Sequence, residues 1–170
     1  DRGFCYIPHQ EQLSADGDAA YLHYCMNNTV YGSCWDYVPH TPAPVVCDMS
    51  SCILSQPVDV SEYGVIYAGA QKNMGPSGLT VVIVRDDLPG ACLPYTPTWM
   101  DYAVQVKNES GYNTPACYGI YLLGLVLEWI EGLGGLAGME NINREKADAL
   151  YDVLDRSGYY RPVVEKPYRS

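Results

Sequence analysis

The sequence predicts an α/β fold, and three observations carry that reading. Short apolar runs at residues 19–25, 45–47, 65–68 and 79–84 read as strands, those at 45–47 and 65–68 as buried ones. The first three run straight into polar or small residues, the pattern of α/β sheets whose ligands gather beyond the carboxyl ends of the strands. Two helical patterns then fill the C-terminal third, at 116–130 and 136–156.

Composition narrows the function. A chain of 170 residues, 48% hydrophobic and 18% charged, is long enough for one domain with a real core. A net charge of −10 disfavours nucleic acid and anionic membranes as partners. The longest apolar stretch, 116–127, is too short to span a bilayer. Seven cysteines, an odd number without CxxC or zinc spacing, favour a reducing compartment and hence a cytoplasmic protein with no metal. Cys25 and Cys47 fall in strand-like runs, where cysteine serves as a small apolar residue. Asn27-Asn28-Thr29 and Asn108-Glu109-Ser110 read as chance matches to the glycosylation pattern. The chain starts at Asp1 and ends at Tyr168-Arg169-Ser170, which reads as part of a longer protein.

Residues 1–18 are polar and aperiodic, a loop with a short helical turn. The strand at 19–25 ends in Met26-Asn27-Asn28-Thr29, weak in strand propensity and rich in hydrogen-bonding groups. Prolines at 39, 42 and 44 make 32–44 a loop. Val45-Val46-Cys47 is a short buried strand ending in Asp48, followed by a serine-rich connection and a helical turn within 58–63. Val65-Ile66-Tyr67-Ala68 then empties into Gly69-Ala70-Gln71-Lys72, and a Gly75-Pro76-Ser77-Gly78 turn leads to Leu79-Thr80-Val81-Val82-Ile83-Val84. So short a connection suits an antiparallel neighbour, because a parallel crossover needs a dozen or more residues. Residues 86–112 read as mostly irregular. Thr114-Pro115 reads as an N-cap with proline at the first helical position. The helix at 116–130 is apolar almost all round and is expected to be buried. Gly132, Gly134 and Gly135 end it, and the helix at 136–156 is amphipathic, stopped by Gly158 and Pro162.

Three places carry chemistry. Lys72 is the first Lys or Arg after Arg2, walled by Gly and Ala at the end of an apolar run. Burial there would disfavour the ammonium form, and a neutral amine is what a Schiff base with a carbonyl cofactor needs. The alternative is a strand-end lysine that simply reaches water. Asp48 after a buried run is costly unless paired, and a protonated pyridine nitrogen is one such partner; the alternative is a turn residue beside Ser50 and Ser51. Asn113-Thr114-Pro115 at a helix start offers N–H groups and a dipole to an anion, although most helix starts bind nothing.

Together these segments resemble a known family. Tyr21 to Thr29, Cys47-Asp48-Met49-Ser50-Ser51, Tyr63 to Arg85, Tyr112-Asn113-Thr114-Pro115, Gly124 to Trp129 and Gly134-Gly135-Leu136 look closely like the phosphoserine aminotransferases, among the class V pyridoxal-phosphate aminotransferases. The similarity covers nearly the whole chain in one register. It implies the central part of the large domain of a fold-type I pyridoxal-phosphate enzyme, with a mixed, mostly parallel sheet and residues 79–84 antiparallel at or near an edge. It implies residues 1–160 as part of the cofactor-binding domain, and 161–170 as the start of a connection to an absent small domain.

The resemblance also implies a homodimer with shared active sites, the cofactor pyridoxal 5'-phosphate, and small-molecule substrates. The implied reaction moves an amino group from glutamate to 3-phosphohydroxypyruvate, giving phosphoserine and 2-oxoglutarate in serine biosynthesis. Carried over residue by residue, Lys72 would hold the cofactor as a Schiff base and then move the α-proton, and Asp48 would pair with the pyridine nitrogen. Thr29 would bond near the phenolic oxygen and Gln71 near the phosphate. Asn113 and Thr114 would reach the phosphate of the neighbouring subunit's cofactor. The family usually has Ser-Asn-Glu-Thr where this chain has Met26-Asn27-Asn28-Thr29, and Arg where it has Gln56. A stacking Trp, a phosphate-binding loop and a substrate arginine lie outside the segment in the family, so the isolated segment is expected to be inactive. The rival readings are another aminotransferase or a cysteine desulfurase of the same fold, and a truncated chain without turnover.

Overall fold

The computed structural model describes residues 3–170; Asp1 and Arg2, at the start of the predicted N-terminal loop, lie outside the described residues. Six strands form: β1 (Leu22–Cys25), β2 (Asn27–Asn28), β3 (Ser33–Cys34), β4 (Val45–Asp48), β5 (Val65–Gly69) and β6 (Thr80–Val84). The main sheet has the order β1-β4-β5-β6; β1, β4 and β5 are parallel, and β6 is antiparallel to β5 at the edge, as predicted. β1 is shorter than the apolar run at 19–25. Its pairing starts at Leu22, whose N–H meets the Pro44 carbonyl at 3.0 Å just before β4 begins.

The register aligns Cys25 with Asp48, Asp48 with Tyr67 and Tyr67 with Val82. Alternation then puts Tyr24, Cys47 and Ile66 on one face, and His23, Cys25, Asp48 and Tyr67 on the other. The first face is the core: Tyr24, Val45, Cys47 and Ile66 are buried with Met26, Met49 and Tyr63. Full burial of a side chain such as Ile66 is worth about 1.5–3 kcal/mol. Burial also pushes the Cys47 thiol up to about 12, so it packs as an apolar residue as expected. Cys25, on the opposite face, is exposed and does not. Gly64 is held where β4 and β5 start and β6 ends: a Cβ there would lie 2.8 Å from Pro44 Cβ, too close for any other residue without a shift.

Four helices follow or interrupt the sheet: α1 (Ala70–Asn73), α2 (Tyr102–Lys107), α3 (Cys117–Gly132) and α4 (Gly135–Arg156). α1 is a single helical turn where the sequence reads as a simple connection; Ala70 N–H bonds the Leu79 carbonyl and so closes the loop to β6. α2 lies in the stretch expected to be irregular. Its sequence signal is Asp101, whose Oδ1 accepts from the Ala103 N–H at 2.9 Å as an N-cap.

Two expectations for α3 are corrected. Its N-cap is Ala116, with ψ of 68°, and the Cys117 N–H turns back onto the Pro115 carbonyl at 2.9 Å. Pro115 and Ala116 therefore stay outside the helix, and Thr114 caps nothing. Nor is α3 buried: Gly119 and Ile130 are, but Tyr118, Tyr121 and Trp129 are 73, 62 and 58% exposed. α4 packs against it after a left-handed Gly134 (φ 93°), and the turn before β6 meets it at Gly119 and Leu123, but these cover only part of an all-round apolar surface. No helix among the described residues is long and apolar enough on its own to cross a membrane.

After α4 the chain returns to the N-terminal side. Glu165 N–H bonds the Cys5 carbonyl, and Ser170 N–H bonds the Gly32 carbonyl. Arg169 forks onto Asp155 at 2.8 and 3.0 Å and lies 4.7 Å over the Tyr151 ring, with Lys166 also on Asp155. Arg169 and then Lys166 hold the Asp155 carboxyl well below the usual carboxylate range. A depressed folded value means that the pair stabilises at pH above the unfolded carboxylate value of about 4 and is lost as pH falls through the folded value. Asp155→Asn should therefore lower the hydrogen-exchange protection of the amides of residues 165–170 at neutral pH, measured against intrinsic rates at each pH, and should remove the further loss of protection that acid causes in the parent.

Candidate active site

The carboxyl ends of β1, β4 and β5 meet at one edge of the sheet. Asp48 closes β4, half-buried, and its Oδ1 accepts from the Ser50 N–H at 2.8 Å in an Asx turn. Ser50 Oγ accepts from the Gly69 N–H at 3.0 Å, at the end of β5. One serine thus fixes the Asp48 carboxylate against the strand that leads into α1 and Lys72. The Cys25 thiol feels both charges. Burial and Asp48 raise it, Lys72 lowers it, and the net direction is up, which keeps the thiol neutral.

Lys72 itself is exposed, without a hydrogen bond or ion pair among the described residues. The burial expected of it falls on its neighbours: Ala68 and Ala70 are fully enclosed, as is Met74 at 2%. α1 turns Ala70 and Met74, four residues apart, toward the core and leaves Gln71, Lys72 and Asn73 outside. Asn73 Nδ2 donates to the Ile53 carbonyl at 2.6 Å, tying α1 to the connection after β4. Gln71 folds back over the end of β5, its Oε1 lying 2.7 Å from where a Cβ on Gly69 would be.

Thr29 sits exposed in the turn between β2 and β3, a hairpin where only a strand end was expected. The hairpin is anchored to the same loop as Asp48: Asn27 Nδ2 donates to Ser51 Oγ at 2.9 Å, and Ser51 Oγ donates to the Asn27 carbonyl at 3.3 Å. Asn27 Oδ1 is buried without a hydrogen-bond partner among the described residues. The departure at Asn28 has a local role. Its Oδ1 accepts from the N–H groups of Val30 and Tyr31, which closes the hairpin turn. The departure at Gln56 lines a cleft of about 330 Å³ with Asp36, His40, Asp59 and Glu62, on a different part of the surface.

The structure therefore brings Asp48, Lys72 and Gln71 to one edge and ties the Thr29 hairpin to them. Asn113 and Thr114 are exposed ahead of α3, and no hydrogen bond among the described residues joins them to the others. Sequence reasoning missed Ser50, whose signal was its place two residues after an aspartate. It also missed His23 and Tyr67, which strand alternation puts on the face of Asp48. Chemically, an accessible amine beside a fixed carboxylate can bind a carbonyl compound covalently while pairing with a cationic N–H in the same molecule.

Known proteins match this chain in sequence and fold. The family model described as aminotransferase class V matches residues 7–169. The chain is 51% identical over 169 residues to the phosphoserine aminotransferase of Laribacter hongkongensis, covering 99% of this chain and 47% of that protein. The solved phosphoserine aminotransferase from Bacillus circulans subsp. alkalophilus is 45% identical with a TM-score of 0.95, over 99% of this chain and 47% of the other. A PLP-bound phosphoserine aminotransferase from Trichomonas vaginalis is 40% identical with a TM-score of 0.93, over 98% and 46%. The fold is the fold-type I aminotransferase fold, as predicted, and the chain spans about half the length of the curated relatives it matches.

Proposed function

We propose, because this chain belongs to the class V aminotransferase family, that it is part of a pyridoxal-phosphate-dependent phosphoserine aminotransferase. The observation that carries this reading is the Ser50 link that fixes Asp48 against the strand leading to Lys72. The complete protein would move an amino group from glutamate to 3-phosphohydroxypyruvate, the two substrates using one site in turn.

The residues fit the cofactor by their chemistry. An accessible amine, unpaired among the described residues, stands at Lys72, and Asp48 ends a strand at the same edge with a backbone N–H already on its Oδ1. When bound, pyridoxal phosphate supplies a carbonyl that amines attack and a protonated ring that takes up electrons. Lys72 Nζ would hold the cofactor and, once displaced by substrate, carry the α-proton as general base and acid. Asp48 would keep the proton on the ring nitrogen. The Thr29 hydroxyl would bond near the phenolic oxygen, and the Gln71 amide near the phosphate.

Asn113 and Thr114 would serve the partner's cofactor in a homodimer, and the uncovered apolar face of α3 supports a second packed surface there. Residues 3–160 would lie in the large domain and 161–170 would lead toward a small one. The seven free cysteines support a cytoplasmic location. A desulfurase would need a thiolate, and the Cys25 thiol at this edge is shifted the wrong way.

The test is Asp48→Asn in the full-length protein. Turnover should fall by about a hundredfold or more, the scale for losing one preorganised electrostatic partner, while bound cofactor falls far less. Turnover near that of the parent would leave Asp48 as a turn residue.

A further inference from the structure

We infer that Tyr67 and His23 are positioning residues for Asp48, joined to it in a hydrogen-bonded row in which the Tyr67 hydroxyl donates to the carboxylate and His23 Nε2–H donates to the Tyr67 oxygen. The inference rests on the proposed role of Asp48 as partner of the cofactor's ring nitrogen.

The sheet builds the row. Asp48 and Tyr67 are direct neighbours on parallel strands, so their side chains leave one face side by side. His23 is two residues before Cys25, the β1 partner of Asp48, and so lies on that same face. The His23 Nε2 and the Tyr67 hydroxyl oxygen are 3.0 Å apart, and the two rings are stacked with centroids 6.0 Å apart and planes 20° from parallel. Burial first, then the neighbouring Asp48 carboxylate, raise the Tyr67 phenol above its ordinary value, so it keeps its proton through the neutral range. With its proton committed to Asp48, the Tyr67 oxygen can only accept from His23, which requires the proton on Nε2. The other titratable groups facing this row are Cys25, which is neutral, and Lys72 at the strand ends.

Such a row has a chemical consequence. A donated hydrogen bond favours the ionised form of a carboxylate. With the row in place, the proton that Asp48 would share with the cofactor stays on the ring nitrogen. Without it, Asp48 draws that proton toward itself and the ring loses positive character. The Lys72 nitrogen, in its cofactor-bound form, then holds its own proton more tightly.

The experiment uses the full-length protein with its cofactor and follows the visible absorption band against pH. Tyr67→Phe should raise the midpoint of the band's titration by a few tenths of a pH unit or more, and His23→Asn should move it less in the same direction. Asp48→Asn is run beside them. If Asp48→Asn moves the midpoint and Tyr67→Phe leaves it at the parent value, the supporting row is overturned while the role of Asp48 stands. If Asp48→Asn itself leaves the midpoint unchanged, the reading of Asp48 fails, and the row with it. A second measurement needs no variant: side-chain nitrogen NMR of the cofactor-free full-length protein should show His23 protonated on Nε2. Protonation on Nδ1 alone would make His23 the acceptor from Tyr67, deprive Asp48 of its donor and overturn the proposal.

Discussion

Full-length protein carrying Lys72→Ala is expected to fold normally and to lose at least about a thousandfold in turnover, within the range general acid–base catalysis supplies. The two halves of that expectation come from different parts of α1. Its structural work is done by Ala70 and Met74, buried against the core, and by the Asn73 amide on the Ile53 carbonyl. Lys72 is exposed and unpaired beside them, so its removal should change stability by no more than about 0.5 kcal/mol. The loss in turnover has a chemical cause, because no other described cation stands at the ends of β4 and β5. In the parent, borohydride reduction followed by peptide mapping should put the cofactor label on Lys72. Label on Lys107 or Lys146 would remove Lys72 from its role, and an unaltered rate in Lys72→Ala would do the same.

What was legible in the sequence follows from how local each signal is. The strands at Val45–Asp48 and Val65–Gly69 were readable because their apolar runs fill the buried face directly, and Thr80–Val84 because its run is dense in β-branched residues, although Val82 and Ile83 stay exposed at the sheet edge. The antiparallel turn into β6 was readable because its connection is too short for a crossover. Asp48 and Lys72 were found because a charge at the end of an apolar run stands out.

Other features depend on what packs where. All-round apolar character told of a covered α3, but the sequence does not say by what, and within this chain α4 covers only part of it. The proline rule placed the start of α3 too early because the chain makes a tight turn at Ala116, with the Cys117 N–H on the Pro115 carbonyl, before the helix begins. The bond from Ser50 to Gly69, the Asn27–Ser51 anchor and the pair of His23 with Tyr67 span 19, 24 and 44 residues, and only the parallel register of β1, β4 and β5 brings them together. The resemblance to a family named the residues around the site; the sheet explains how some of them come to share an edge.

Asn113 and Thr114 are the two site residues that this chain does not bring to that edge, and a mixed dimer should show where they act. Both are exposed ahead of α3, and neither has a hydrogen-bond partner among the described residues. On the proposed reading each phosphate is held by Asn113 and Thr114 of one subunit while the cofactor sits on Lys72 of the other. Full-length protein with Lys72→Ala, and separately with Asn113→Ala plus Thr114→Ala, should each be impaired as a homodimer. When the two chains are co-expressed, the mixed dimer collects both lesions in one site, because the site that lacks Lys72 also receives the altered residues of its partner. The other site then has an intact lysine and an intact phosphate contact, so a substantial part of the parent turnover should return. If each chain held its own phosphate, both sites of the mixed dimer would carry one lesion. Activity would then not exceed what the two homodimers contribute, and the assignment of Asn113 and Thr114 to the partner's site would be lost. The restored fraction should also rise and fall with the proportion of mixed dimer separated by differential tagging, because only that species contains an unbroken site.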